Sequence, residues 1–290
     1  MHTRFAVPEG NWRAAFLLIP ALAFTALPAS ARRIEKQFKV DTHPIVSIHS
    51  PSGTVIVKAW TKSEVLVIAN IDSGNVDLGA VQNGDHIDIA TRLLSNNVSP
   101  SELRADYQVD VPENTELQIH NDTGGVSVAN VLGDMNVETV GAGIDLQDVA
   151  GYLTVRTVAG SFSCLRCAGH IQANSISGNM SFVDTRSTNI QGHTVTGNIL
   201  FSGQFLPNGQ YSLKNYSGII ELKFSPGDSF DLSATSLKGK VNNDAKLIRP
   251  RRSDRSMPRE GEALFGTYNT AGRASVKLAS FDGTINIVKR

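Results

Sequence analysis

The chain has 290 residues, with 27 basic and 27 acidic side chains, 41% apolar residues and only two cysteines. A formal charge of zero excludes recognition driven by a whole-chain excess of one sign, of the kind nucleic acid or an anionic membrane would select. Two cysteines exclude a disulfide framework, and the length is enough for one elongated core or two compact ones.

Residues 1–31 read as an export signal. Arg4 and Arg13 give a basic start, "AAFLLIPALAFTALPASA" gives an apolar run, and Ala29-Ser30-Ala31 is a small-residue cleavage pattern. The run is short and carries Pro20 and Pro28, which argues against a retained membrane span. Cleavage before Arg32 removes Arg4, Glu9 and Arg13, so 25 basic and 26 acidic residues remain. No cysteine follows the site to carry a lipid. The mature chain, 32–290, is therefore expected in the periplasm, at the cell surface or secreted, with no transmembrane segment.

"VSIHSPSGTVIV", from 46, is the first of nine copies of one twelve-residue unit. Residues 60–116 then break the period. "SEVLVIAN", "HIDIATRL" and "DYQVDVP" read as strands of an antiparallel N-terminal cap, with Asn83-Gly84-Asp85 as a hairpin turn. Regular coils over 117–244 follow: "LQIHNDTGGVSV" from 117, "MNVETVGAGIDL" from 135, "LTVRTVAGSFSC" from 153 and "IQANSISGNMSF" from 171. "IQGHTVTGNILF" from 190, "YSLKNYSGIIEL" from 211 and "LSATSLKGKVNN" from 232 continue them. Residues 246–263 are arginine-rich and proline-bearing and read as a flexible insertion. A closing coil over 264–290 carries the last copy, "VKLASFDGTINI" from 276.

The first, third, tenth and twelfth positions of the unit are apolar in almost every copy, the period-two signature of two short half-buried strands. The fifth is Ser, Thr or Asn. The eighth is glycine in every copy but one, including Gly124, Gly160, Gly178, Gly197, Gly218, Gly239 and Gly283; in the exception Ala142 stands between two glycines. A polar acceptor followed three residues later by glycine reads as a tight turn between the strands. Such a unit cannot bury its own apolar face, so copies must stack. The fold expected is an all-β, single-chain parallel β-solenoid, right-handed, of about nine coils of 18–21 residues.

The start "VSIHSPSGTVIVKAW", the bridge "YQVDVPENTELQIHNDTGGVSV", the repeated coils and the closing "GTYNTAGRASVKLASFDGTINI" resemble the bacterial putative-adhesin domain family over roughly residues 38–290. The resemblance implies an exported β-strand-repeat domain with no cofactor and no catalytic or binding residues to carry over. The cysteine pair and the arginine-rich insertion depart from it.

Cys164 falls on a twelfth position, between Leu146 and Phe182 of the neighbouring coils, and Cys167 three later, on a second apolar column. Both read as core residues, free or joined in a local disulfide, since no helix N-terminus or four-ligand set accompanies them. Stacking turns the fourth position into an outward column: His120, Glu138, Arg156, Asn174, His193, Lys214. This column and Arg249, Arg251 and Arg252 of the insertion are the candidate surface-binding residues. Asp134, Asp145 and Asp148 are the one local acidic grouping in the regular coils. Three functions follow in order. The first is a non-catalytic, adhesin-like module binding a cell-surface glycan. The second is a periplasmic structural or regulatory protein with an envelope-protein partner. The third is a polysaccharide-active enzyme using those aspartates. No metal and no nucleic-acid partner is expected.

Overall fold

In the computed structural model the described residues are 32–248, 261–269 and 273–290; apart from one 3-10 turn, Pro100–Leu103, their regular elements are all strands. The expected signal, 1–31, and Arg249, Arg251 and Arg252 lie outside them. Among the described residues no helix is long and apolar enough to cross a membrane.

Strand β1 (Arg32–Lys39) precedes β2 (Ile45–Trp60), which holds the first repeat. The excursion contributes β3 (Glu64–Ile71), β4 (Val76–Asn83), β5 (His86–Leu93) and β6 (Ala105–Pro112). The next repeats supply β7 (Glu116–Ala129), β8 (Met135–Thr139), β9 (Gly143–Gln147), β10 (Ala150–Thr157) and β11 (Phe162–Leu165). They continue through β12 (Ala168–Ser175), β13 (Met180–Val183), β14 (Arg186–Thr196), β15 (Ile199–Ser202) and β16 (Gln210–Phe224). The chain ends with β17 (Phe230–Ser236), β18 (Val241–Asn243), β19 (Glu262–Tyr268) and β20 (Ala274–Lys289).

The repeats pair in parallel with like positions aligned. Leu117 lies opposite Met135, then Leu153, Ile171, Ile190 and Tyr211 follow in one line. A second parallel ladder joins the other halves, running Val126, Ile144, Phe162, Met180, Ile199, Ile220. Apolar residues at the first and third positions of one ladder and the tenth and twelfth of the other meet in one buried cluster; Leu153, Val155, Phe162 and Cys164 are each at most 1% exposed. The result is an all-β fold built mostly on parallel pairing.

Three features differ from the expectation. The last repeat does not close the stack: β20 lies between β16 and β17, with Val276 opposite both Tyr211 and Leu232. The outer place is taken by β17, which β19 then pairs antiparallel. At the other end the cap is mixed rather than antiparallel: β5 and β6 pair parallel with the two halves of β2, and β4, β3 and β1 add antiparallel outside them. Thirdly, the eighth-position glycine serves packing more than a turn. β2, β7, β16 and β20 run unbroken through it. A Cβ at Gly178 would lie 2.1 Å from the Gly160 carbonyl oxygen, and one at Gly160 1.8 Å from that of Ala142.

The fifth position completes this corner from inside. Asn121, Thr194 and Asn215 donate to the eighth-position carbonyls of the neighbouring repeats, Gly53, Gly178 and Gly197, each at 3.2 Å. In these three repeats an inward carbonyl gains a side-chain donor from the fifth position; the Ser175 and Ser280 hydroxyls make no such bond among the described residues.

Candidate functional site

The alternation that buries the first, third and fifth positions turns the second and fourth outward. His49, His120, Glu138, Arg156, Asn174, His193 and Lys214 stand opposite one another from strand to strand, so every fourth-position candidate joins one column. Arg156 donates to Glu138 at 2.8 Å and to Asn136 at 3.4 Å. The pair is half exposed, worth at most about 1 kcal/mol. His120 and Asp122 approach to 3.1 Å. Between Asn174, Gln191, His193, Ser212 and Lys214 the column opens into a hollow of about 300 Å³.

The second-position column lies alongside: Gln118, Asn136, Thr154, Gln172, Gln191, Ser212. The sequence reading overlooked it, although the aligned copies carry the signal, an uncharged hydrogen-bonding residue in each of these six repeats. Together the columns form a strip of amides, hydroxyls and imidazoles, with the Glu138–Arg156 pair and Lys214, which forms no ion pair among the described residues. Such a strip can donate and accept hydrogen bonds at a spacing of about 4.8 Å per strand.

The other candidates sit elsewhere. Cys164 and Cys167 form a disulfide and are fully buried, with Cys164 between Leu146 and Phe182. The three aspartates do not converge. Asp134 accepts the Tyr152 backbone N–H at 2.9 Å, and Asp145 faces outward beside Ser127 and Ser163. Asp148 takes both arms of Arg166 at 2.6 Å, and that guanidinium holds its carboxyl below the usual aspartate range. Among the described residues no group of three His, Cys, Asp or Glu is placed to hold a metal ion.

Asp148 belongs to a further column that the sequence reading did not assemble. Asn130, Asp148, Arg166 and Asp184 occupy the same corner of successive repeats, all with left-handed backbone, φ 62°, 52°, 53° and 50°. Arg290 reaches Asp184 at 3.9 Å, so the charges alternate along the corner. A cavity of about 440 Å³ opens there, lined by Asp184, Arg186, Gln204 and Arg290 among others.

No protein-family model and no curated protein sequence matches the chain. Solved structures similar to it include a putative adhesin from Bacteroides fragilis, 12% identical, covering 90% of this chain and 99% of that one at a TM-score of 0.41. A putative cell adhesion protein from Clostridium sporogenes is 10% identical, covering 90% and 100%, with a TM-score of 0.27. A putative adhesin from Parabacteroides merdae is 8% identical, covering 89% and 96%, with a TM-score of 0.26.

Proposed function

We propose that this chain is an exported, non-catalytic, adhesin-like module. Its two parallel ladders are the faces of a right-handed β-solenoid, the hand that parallel crossovers take almost without exception. Its ligand is an extended polar polymer of the cell surface, a glycan, laid along the fourth- and second-position columns. The observation that carries this reading is the alignment of His120, Glu138, Arg156, Asn174, His193 and Lys214 in one outward line. A periodic row of weak hydrogen-bonding sites holds a chain molecule by many simultaneous contacts, which a compact ligand cannot match.

Co-sedimentation with insoluble cell-wall and plant polysaccharides and with whole cells tests it. The wild-type chain is expected in the pellet with no new reducing ends in the supernatant. A variant carrying Arg156→Ala, His193→Ala and Lys214→Ala should lose at least fivefold in bound fraction while keeping its melting temperature. Protein left in solution with every polymer and cell type overturns the reading. New reducing ends that vanish in Asp134→Asn, Asp145→Asn or Asp148→Asn would replace it with the enzyme.

A further inference from the structure

The sixth position of the unit points outward at the corner beyond the fifth. There Val140, Val158, Ile176 and Val195 are 38–55% exposed in four successive repeats. Tyr216 and Phe281 continue the line with rings stacked at 4.6 Å, and Leu237 ends it. Backbone hydrogen bonds fix the order: Ala159 N–H donates to Val140, Ser177 to Val158, Thr196 to Ile176 and Lys238 to Phe281. Seven repeats thus place an apolar or aromatic side chain at one corner, six of them exposed and Phe281 partly so, a ridge about 29 Å long at about 4.8 Å per strand. Apolar residues scattered singly need no explanation, whereas the largest contiguous patch on a monomer is often functional.

Beside the ridge runs a terrace of small, uncharged residues at the seventh and ninth positions. It includes Gly141, Ala159, Ser177 and Thr196, then Asn179 and Asn198. From Val140 to Ile219 neither ridge nor terrace carries a charge. The ends differ. Lys238 and Lys240 flank the Leu237 end beside Asp282, with the Lys238 ammonium 5.0 Å from the Phe281 ring centroid, and neither lysine forms an ion pair among the described residues. At the other end the sixth position is Asp122.

We propose that this edge is the interface of a twofold dimer of the chain, the two ridges antiparallel and each lying on the other's terrace. A line of larger apolar side chains beside a strip of small residues can meet its own copy, as a twofold contact requires. Only a rigid partner with the same strand spacing meets it repeat for repeat, and a second copy is such a partner. Charge sets the direction. Parallel ridges would bring the lysine ends together, whereas antiparallel ridges set Lys238 against Asp122 of the other copy and Ile176 against Val195 near the axis.

The strip is about 14 Å wide, four residues at about 3.4 Å each, so it covers on the order of 400 Å² per copy. That is about half of what a stable complex buries on each side, so the dimer is weak and reversible. Light scattering on size-exclusion fractions from about 1 to about 200 μM is the test. The expected result is a mass that doubles across this range. Ile176→Asp with Val195→Asp should weaken association at least tenfold with an unchanged circular dichroism spectrum and melting temperature. Lys238→Glu and Asp122→Lys should each weaken it about threefold, and the two together should restore it. A monomer at all concentrations overturns the inference, as does a dimer indifferent to the aspartate pair. Failure of the charge swap to restore association overturns the antiparallel arrangement. A monomer that floats with phosphatidylglycerol vesicles would assign the ridge to a lipid surface instead. Ile176 and Val195 lie outside the polymer-binding columns, so the aspartate pair keeps this result separate from the sedimentation result; Asp122 approaches His120 of the column at 3.1 Å, so the charge swap is read by association alone.

Discussion

Along the eighth-position column the carbonyl oxygen of one repeat fills the space where a Cβ of the next would stand. At Gly178 the obstacle is the Gly160 backbone carbonyl, in the short link between β10 and β11, so it cannot rotate away as a side-chain tip could. Gly178→Ala is therefore expected to cost about 1–3 kcal/mol, as overpacking does, in urea unfolding. At Gly74 a methyl group would meet nothing within 4 Å, so alanine should be tolerated there within about 0.5 kcal/mol. Tyr211 makes a different statement. Its buried hydroxyl donates to the Ser187 carbonyl at 2.8 Å and accepts the Leu206 N–H at 2.9 Å. Burial raises its pKa above the ordinary value of 10, and that of Tyr107 likewise. The folded state then keeps protons the unfolded state releases, so stability is full below about pH 10 and falls as pH rises toward the folded values. Tyr211→Phe should lose about 1–2 kcal/mol near neutrality through its hydrogen bonds, and its melting temperature should decline less steeply between pH 9 and 11. The glycines were plain in the sequence, but their reason was not. A turn and a close inter-repeat approach both call for glycine, and only the neighbouring carbonyl tells them apart.

Among the elements, β20 is the one whose place matters most. It pairs along its length with β16 on one side and with β17 and β18 on the other. β1, by contrast, pairs with β3 alone among the described residues. Deleting 274–290 would leave β16 and β17 with open parallel edges, a template for aggregation. That variant is expected to be insoluble or to form large aggregates by light scattering. Deletion of residues 32–39 should leave a soluble protein with a β-type circular dichroism spectrum and a lower melting temperature. The strands themselves were readable from alternation, as in "HIDIATRL", which is β5. β4, "VDLGAVQN", escaped because Gly79 and a short apolar run blur its period. The order of the last two repeats was not readable at all. The copies from 232 and 276 carry the same apolar positions and fit the repeat from 211 equally well. Their order is settled by β19, which turns back antiparallel on β17 and delivers the chain to the inner side.

Over the whole molecule the repeat converts sequence positions into surface lines. One edge carries the hydrogen-bonding columns, the adjoining corner carries the apolar ridge, and the far corner carries the alternating charges of Asp148, Arg166, Asp184 and Arg290. In the proposed dimer the two ridges meet and leave both polar strips open, so two weak polymer contacts would act together. The fourth-position column was legible because stacking at constant register needs nothing but the alignment. The ridge was legible by the same logic, as Val140, Val158, Ile176, Val195, Tyr216, Leu237 and Phe281 share a position. It was passed over because an apolar residue next to buried columns reads as core until the burial is known.

The strand period, the repeat, the parallel alignment of like residues and the identity of each outward column are all legible in the residue order. These follow from local alternation and from the inability of a twelve-residue unit to bury its own face. The place of β20 inside β17, the parallel extension of β2 by the cap, the carbonyl that each glycine answers and the exposure of the sixth position come from the fold in space. Each of those depends on which backbone lies beside which, and repeats that all match one another carry no information about that choice.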